Sequence, residues 1–217
     1  TDFVFNEEKD KTWIASTEPI VFPTATGKTW HDYINDVRLE ITCGEAPYLV
    51  SCYDTVSGYM IELSQRIGLL DRKLRVVSEN TQTEKEWLKW AIKSFQNTYG
   101  YDWQGDNVLL ARENLLFTFI DYYKAKFDKE PDIDILKKIA EILSWNIWQM
   151  DGLKFVIPES CKEVEEGQLT LFDMNTEKQP CPGCAKNDPY AHTGIYCGIK
   201  DWNANKKVTF VSLLKKD

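Results

Sequence analysis

The sequence predicts an α+β fold, on two observations. Strand-like runs with turn signals fill the first eighty residues and return near the carboxyl end, whereas apolar residues recur with helical period between about Thr81 and Asp151. At 217 residues, with 43% hydrophobic residues and 8 Trp, the chain can bury enough apolar surface to offset the entropy of ordering it. The expected layout is a β-rich N-terminal part over 1–80, a helical core over 81–157 and a cysteine-rich tail with a β-hairpin over 158–217, in one compact unit.

Within the first part, Arg38-Leu39-Glu40-Ile41-Thr42-Cys43 alternates with period two, and Tyr48-Leu49-Val50-Ser51-Cys52-Tyr53 is rich in strand formers. Asp54-Thr55-Val56-Ser57-Gly58 should turn the chain into Tyr59-Met60-Ile61-Glu62-Leu63 as a hairpin. Ala25-Thr26-Gly27-Lys28-Thr29 resembles part of a phosphate-binding loop, but Phe22 stands where that loop needs its first glycine, so a turn is expected. His31 beside Asp32 reads as a solvated imidazole.

The central zone predicts three antiparallel helices. Thr83 and Glu86 have capping-box spacing, and Trp87, Trp90, Ala91, Ser94, Phe95 and Thr98 then share a face up to a stop at Gly100. A second helix starts after Gly105-Asp106 and ends near Phe127, its Gln104-Gly105-Asp106-Asn107 start reading as a cap. A third follows Pro131-Asp132, with Ile135, Leu136, Ile139, Ile142, Leu143 and Ile147 as its stripe. In the tail, 159–166 reads as an acidic surface loop. Asn203-Ala204-Asn205-Lys206 joins two strand-like runs with residues suited to a hairpin turn.

No apolar run reaches the roughly 18 residues that a bilayer crossing needs, and Thr1-Asp2-Phe3-Val4-Phe5-Asn6-Glu7-Glu8 lacks the pattern of a secretory leader. A cytoplasmic protein with no membrane partner is expected. The 26 Lys+Arg against 34 Asp+Glu give a net charge of -8, which disfavours nonspecific capture of nucleic acid. Any DNA contact must be a local patch or belong to a partner. Arg66, Arg72, Lys73 and Arg75 form the densest basic cluster and are the candidate nucleic-acid-binding residues.

The 6 Cys, without a secretory signal, suggest thiols or metal ligands in a reducing compartment. Cys181-Pro182-Gly183-Cys184 has knuckle spacing, and two thiolates across a Pro-Gly turn can share one zinc ion with little strain. Cys197 and Cys161 would complete a tetrahedron, with His192 as the alternative ligand. Four protein ligands leave no open position, so such a zinc would be structural.

Four blocks carry a resemblance: 40–51 (Glu-Ile-Thr-Cys-Gly-Glu-Ala-Pro-Tyr-Leu-Val-Ser), 66–77, Gln104-Gly105-Asp106-Asn107 with Ala111-Arg112-Glu113-Asn114, and 144–154 (Ser-Trp-Asn-Ile-Trp-Gln-Met-Asp-Gly-Leu-Lys). From about Trp13 onward the chain resembles proteins described as restriction endonuclease subunit M, relatives of N6-adenine DNA methylases in bacterial mobile elements and phages. The tail Gln168-Leu169-Thr170-Leu171-Phe172-Asp173-Met174 and Ile199-Lys200-Asp201-Trp202 resemble the ends of such chains.

The resemblance implies DNA, or a protein complex acting on DNA, as partner. Enzymes of that class carry a Gly-rich turn for the methyl donor and an Asn/Asp-Pro-Pro-aromatic loop for the extruded base. Here the nearest string is Asn187-Asp188-Pro189-Tyr190, with one proline, and no donor turn precedes it. The expectation is therefore a non-catalytic accessory or target-recognising piece of a DNA-modification or restriction system, with no catalytic residues assigned. Two alternatives stand beside it: an acidic inhibitor that binds a defence nuclease, and one half of a split DNA methyltransferase.

Overall fold

The computed structural model describes residues 3–6, 12–16, 18–23, 27–166 and 177–214. Residues 1–2 and 7–8 of the opening segment, 24–26 of the Gly-Lys turn and the 168–174 tail lie outside the described residues. The fold is α+β, and its centre is a three-stranded parallel sheet of order β3-β4-β5. Strand β3 (Arg38–Ile41) pairs with β4 (Thr98–Asp102), and β4 with β5 (Ile147–Gln149). Parallel pairing requires long crossovers, and helices supply them. Helices α2 (Leu69–Asn80) and α3 (Glu84–Gln96) lie between β3 and β4, while α4 (Gly105–Phe127) and α5 (Ile133–Asn146) lie between β4 and β5.

The three expected central helices are α3, α4 and α5. The Thr83 hydroxyl caps α3 by accepting from the Glu86 amide at 3.3 Å, satisfying an amide at the helix start. Trp87 is fully buried, its ring 5.7 Å from those of Phe119, Tyr123 and Phe127 and its indole N–H donating to Ser78 Oγ. Such tilted and edge-on aromatic contacts add about 0.5–1.5 kcal/mol each beyond area burial. The expected stop at Gly100 falls elsewhere: α3 ends at Gln96, and Thr98–Asp102 is the central strand, almost wholly buried between the helices on one face and the aromatic cluster of the carboxyl-terminal tail on the other.

Before the sheet, β1 (Phe3–Asn6) pairs antiparallel with β2 (Thr12–Ala15), and α1 (Trp30–Asn35) starts on a Thr29–Asp32 capping box. The expected strand at 48–53 is instead a buried loop. Leu49 and Val50 amides turn back onto the Ala46 carbonyl, and the Ser51 amide donates to Asp71 Oδ2 at 2.7 Å. The following hairpin shrinks to one bridge, Tyr53 to Met60, with Asp54 accepting from the Val56 and Ser57 amides in the turn.

In the tail, β6 (Val164–Glu166) pairs with β7 (Glu177–Gln179), so the end of the expected acidic loop is a strand. Helix α6 (Pro182–Lys186) follows, and β8 (Gly198–Asp201) pairs with β9 (Lys206–Thr209) as the expected hairpin. A second apolar cluster of Tyr101, Trp148, Met150, Cys197 and Ile199 joins this tail to the sheet.

Candidate functional site

Cys161, Cys181, Cys184 and His192 come together, their ligand atoms all within 4.8 Å of one another, in a group that could hold a metal ion. His192 Nδ1 lies 3.6 Å from Cys161 Sγ, 3.6 Å from Cys181 Sγ and 3.7 Å from Cys184 Sγ. Metal–sulfur bonds of ~2.3 Å and metal–nitrogen bonds of ~2.05 Å at tetrahedral angles imply an S···N edge of about 3.6 Å. The observed edges have that length.

Local sequence explains the geometry. Pro182 occupies the first turn of α6, fixing the backbone between the paired cysteines, and Asn187 ends the helix in the left-handed conformation. At Gly183 an added Cβ would lie 2.6 Å from the His192 ring and backbone, so only glycine lets the imidazole approach. Burial opposes ionisation of Cys181, yet hydrogen bonds from Thr193, the Cys184 backbone and His192 bring its thiol down to about 5. Burial, together with the neighbouring Cys181 and Cys184 sulfurs, pushes Cys161 up to about 11. A cation at the centre is what would stabilise three thiolates together.

The expected ligand Cys197 is corrected. Its Sγ donates to the Gln149 carbonyl at 3.2 Å, inside the second apolar cluster, and burial pushes its thiol up to about 12. The residue opens the strand hairpin and packs on the sheet, leaving the fourth corner to His192.

The basic cluster is corrected as well. Arg66 is 7% exposed, pairs with Asp121 at 2.7 Å and donates to the Ile61 carbonyl. Lys73 is 1% exposed, its ammonium held by the carbonyls of Ile34, Asp36 and Asn97. Arg75 pairs with Glu79 and donates to the Glu18 carbonyl, and Arg72 is half-buried on the same helix. The strand-like expectation hid α2, whose inner face makes Lys73 an internal tie, while Arg66 is tied in the turn that precedes the helix. His31 is not simply solvated either: it stacks on Trp30 at 3.8 Å and tilts against Trp90 at 4.4 Å.

A second site escaped the sequence reading. At the carboxyl end of β3, a pocket of about 390 Å³ is lined by Glu40, Cys43, Gly44, Glu45, Tyr53 and Asn107, among others, with no Lys or Arg in its wall. Open α/β sheets bind ligands at this end of their strands. The loop above it is strained: Thr42, Gly44 and Ala46 have φ of 52°, 53° and 66°. Left-handed conformations at non-glycine residues cost on the order of 1–3 kcal/mol each and concentrate at functional sites. Asp102, at the end of β4, holds this loop through the Gly44 amide at 2.9 Å and the start of α4 through the Gln104 amide and Asn107 Nδ2. Glu40 Oε2 is buried with no hydrogen-bond partner among the described residues, and burial pushes its carboxyl up to about 7. The only signal in sequence was the run Thr42-Cys43-Gly44, which lacks the multiple glycines of a donor turn.

Comparison with family models, with curated proteins and with solved structures finds no match to this chain. Among the described residues, no helix is long and apolar enough to cross a membrane.

Proposed function

We propose that this chain is a component of a DNA-modification system that holds the methyl donor and does not complete the reaction alone. The observation that carries the reading is the anionic pocket at the end of the parallel sheet. Two glutamates without a lysine or arginine select a cationic ligand over a phosphate. A sulfonium donor of S-adenosylmethionine type has that charge, and when bound it would supply the methyl group. Glu40 would face the cation, Asp102 would keep the Gly44 loop in its strained shape, and Asn107 would offer an amide at the start of α4.

The base-holding side is what the chain leaves to a partner. Asn187-Asp188-Pro189-Tyr190 is built into the metal loop: Asp188 accepts from the Tyr190 amide, and the Pro189 carbonyl accepts from the Tyr196 hydroxyl. That placement supports the split-methyltransferase alternative over the non-catalytic accessory reading, with the donor on one chain and the extruded base on another. The metal at the Cys3His group is proposed to be zinc, whose preference for tetrahedral sulfur and nitrogen ligands fits the edge lengths. Its role is to fold the tail.

Equilibrium binding of S-adenosylmethionine tests the reading, measured with the chain alone and with a modification subunit carrying the base-holding loop. Saturable binding that Gly44→Val weakens at least tenfold is expected, because valine resists the left-handed backbone. Absence of saturable binding in both conditions would overturn the proposal.

A further inference from the structure

With the Arg66–Arg75 cluster turned inward, the remaining surface cations are organised elsewhere. Lys85, Lys89 and Lys93 follow one another on α3 at intervals of four residues, so they share a face at steps of about 6 Å. Lys93 Nζ reaches Asn203 Oδ1 at the tip of the β8–β9 hairpin, which brings the helical row to the hairpin that carries Lys207. Lys207 Nζ lies 4.2 Å over the Trp145 ring. Helix α5 packs against β8, bringing that tryptophan beside the hairpin.

We propose that this α3–hairpin face is a binding surface for double-stranded nucleic acid, contacted through its phosphates. Charge complementarity selects the occupant: an extended row of ammonium groups in a chain of net charge -8 suits an extended polyanion. The nearby acids offset the row only in part: Glu86 lies among the α3 lysines, three residues before Lys89. Asp201 Oδ1 accepts from the Asn203 and Ala204 amides to build the turn, and Glu141 faces Lys200 at 3.8 Å. The aromatic rings argue for backbone contact over base stacking, because lysine ammoniums lie over Trp90, Trp145 and Trp202. Phosphate contact without base reading gives affinity without sequence preference.

The inference deepens the proposed function by giving its DNA a surface, and its test uses no methyl donor, so either can fail without the other. Binding of the whole chain to a fluorescein-labelled 20-base-pair duplex would be followed by anisotropy from 50 to 200 mM salt. The expected result is affinity that falls steeply with salt, and a K89Q/K93Q/K207Q variant that binds at least tenfold more weakly with a slope reduced by about 2–3. Lys178→Gln, a single Lys-to-Gln change on β7, should bind as the parent does, and circular dichroism should show both variants folded. Three results would overturn the inference: no duplex binding at 50 mM salt, a folded triple variant equal to the parent, or tighter binding to a single strand than to the duplex.

Discussion

His192 holds the corner of the metal group that spacing assigned to Cys197. The Cys-Pro-Gly-Cys turn was readable because both ligands and the bend between them are contiguous. The fourth ligand was not, since it depends on a chain reversal secured by Gly183 and by the Tyr196 hydroxyl accepting from the His192 amide. Metal analysis of purified variants separates the assignments. Cys184→Ser and His192→Ala should lose most of the one zinc per chain expected of the parent, whereas Cys197→Ser should retain it; retention by His192→Ala would contradict the Cys3His assignment. Glu40 offers a second residue-level prediction. Its carboxyl is raised from near 4.5 to about 7 by burial, so the folded state binds the proton more tightly than the unfolded chain. The stability this contributes is complete below about pH 4.5 and is lost as pH rises through 7. Glu40→Gln should therefore flatten the fall in denaturation midpoint over that window and be more stable than the parent at pH 8. A fall in midpoint as steep as the parent's would show that Glu40 does not titrate in this way.

At the scale of elements, the long helices declared themselves through apolar period and end signals: Thr83 caps α3, and Asp128 ends α4 in the left-handed conformation. The central strands did not. Strand β4 begins two residues after α3 ends, and β5 follows α5 directly, so a helical stripe runs straight into each strand. Both are short and largely buried: the Thr-Tyr-Gly-Tyr-Asp alternation of β4 spans only five residues and β5 only three, too few to stand out from the helical stripes that precede them. The opposite error at 48–53 has the opposite cause: the apolar residues are buried, but as a loop pinned by Asp71. Helix α3 carries the aromatic centre of the core, so Trp87→Ala should cost about 3–5 kcal/mol in a denaturant titration with little change in slope. A loss below 1 kcal/mol would mean that the Trp87 cluster does not hold the helices together.

For the whole molecule, charge is segregated by role. Cations in sequence around α2 are spent inside as ties, a lysine row remains outside on α3 and the hairpin, and the sheet-end pocket is walled by carboxylates. A net charge cannot encode that division, because it depends on which face each helix turns inward. The donor pocket and the base-holding function fall on different chains in this account, and the metal loop organises the tail without joining the chemistry. Transfer of a labelled methyl group from S-adenosylmethionine to adenine-containing duplex measures this division most directly. The account predicts no transfer by the homogeneous chain and transfer once a subunit carrying the base-holding loop is added. Turnover by the chain alone would contradict it.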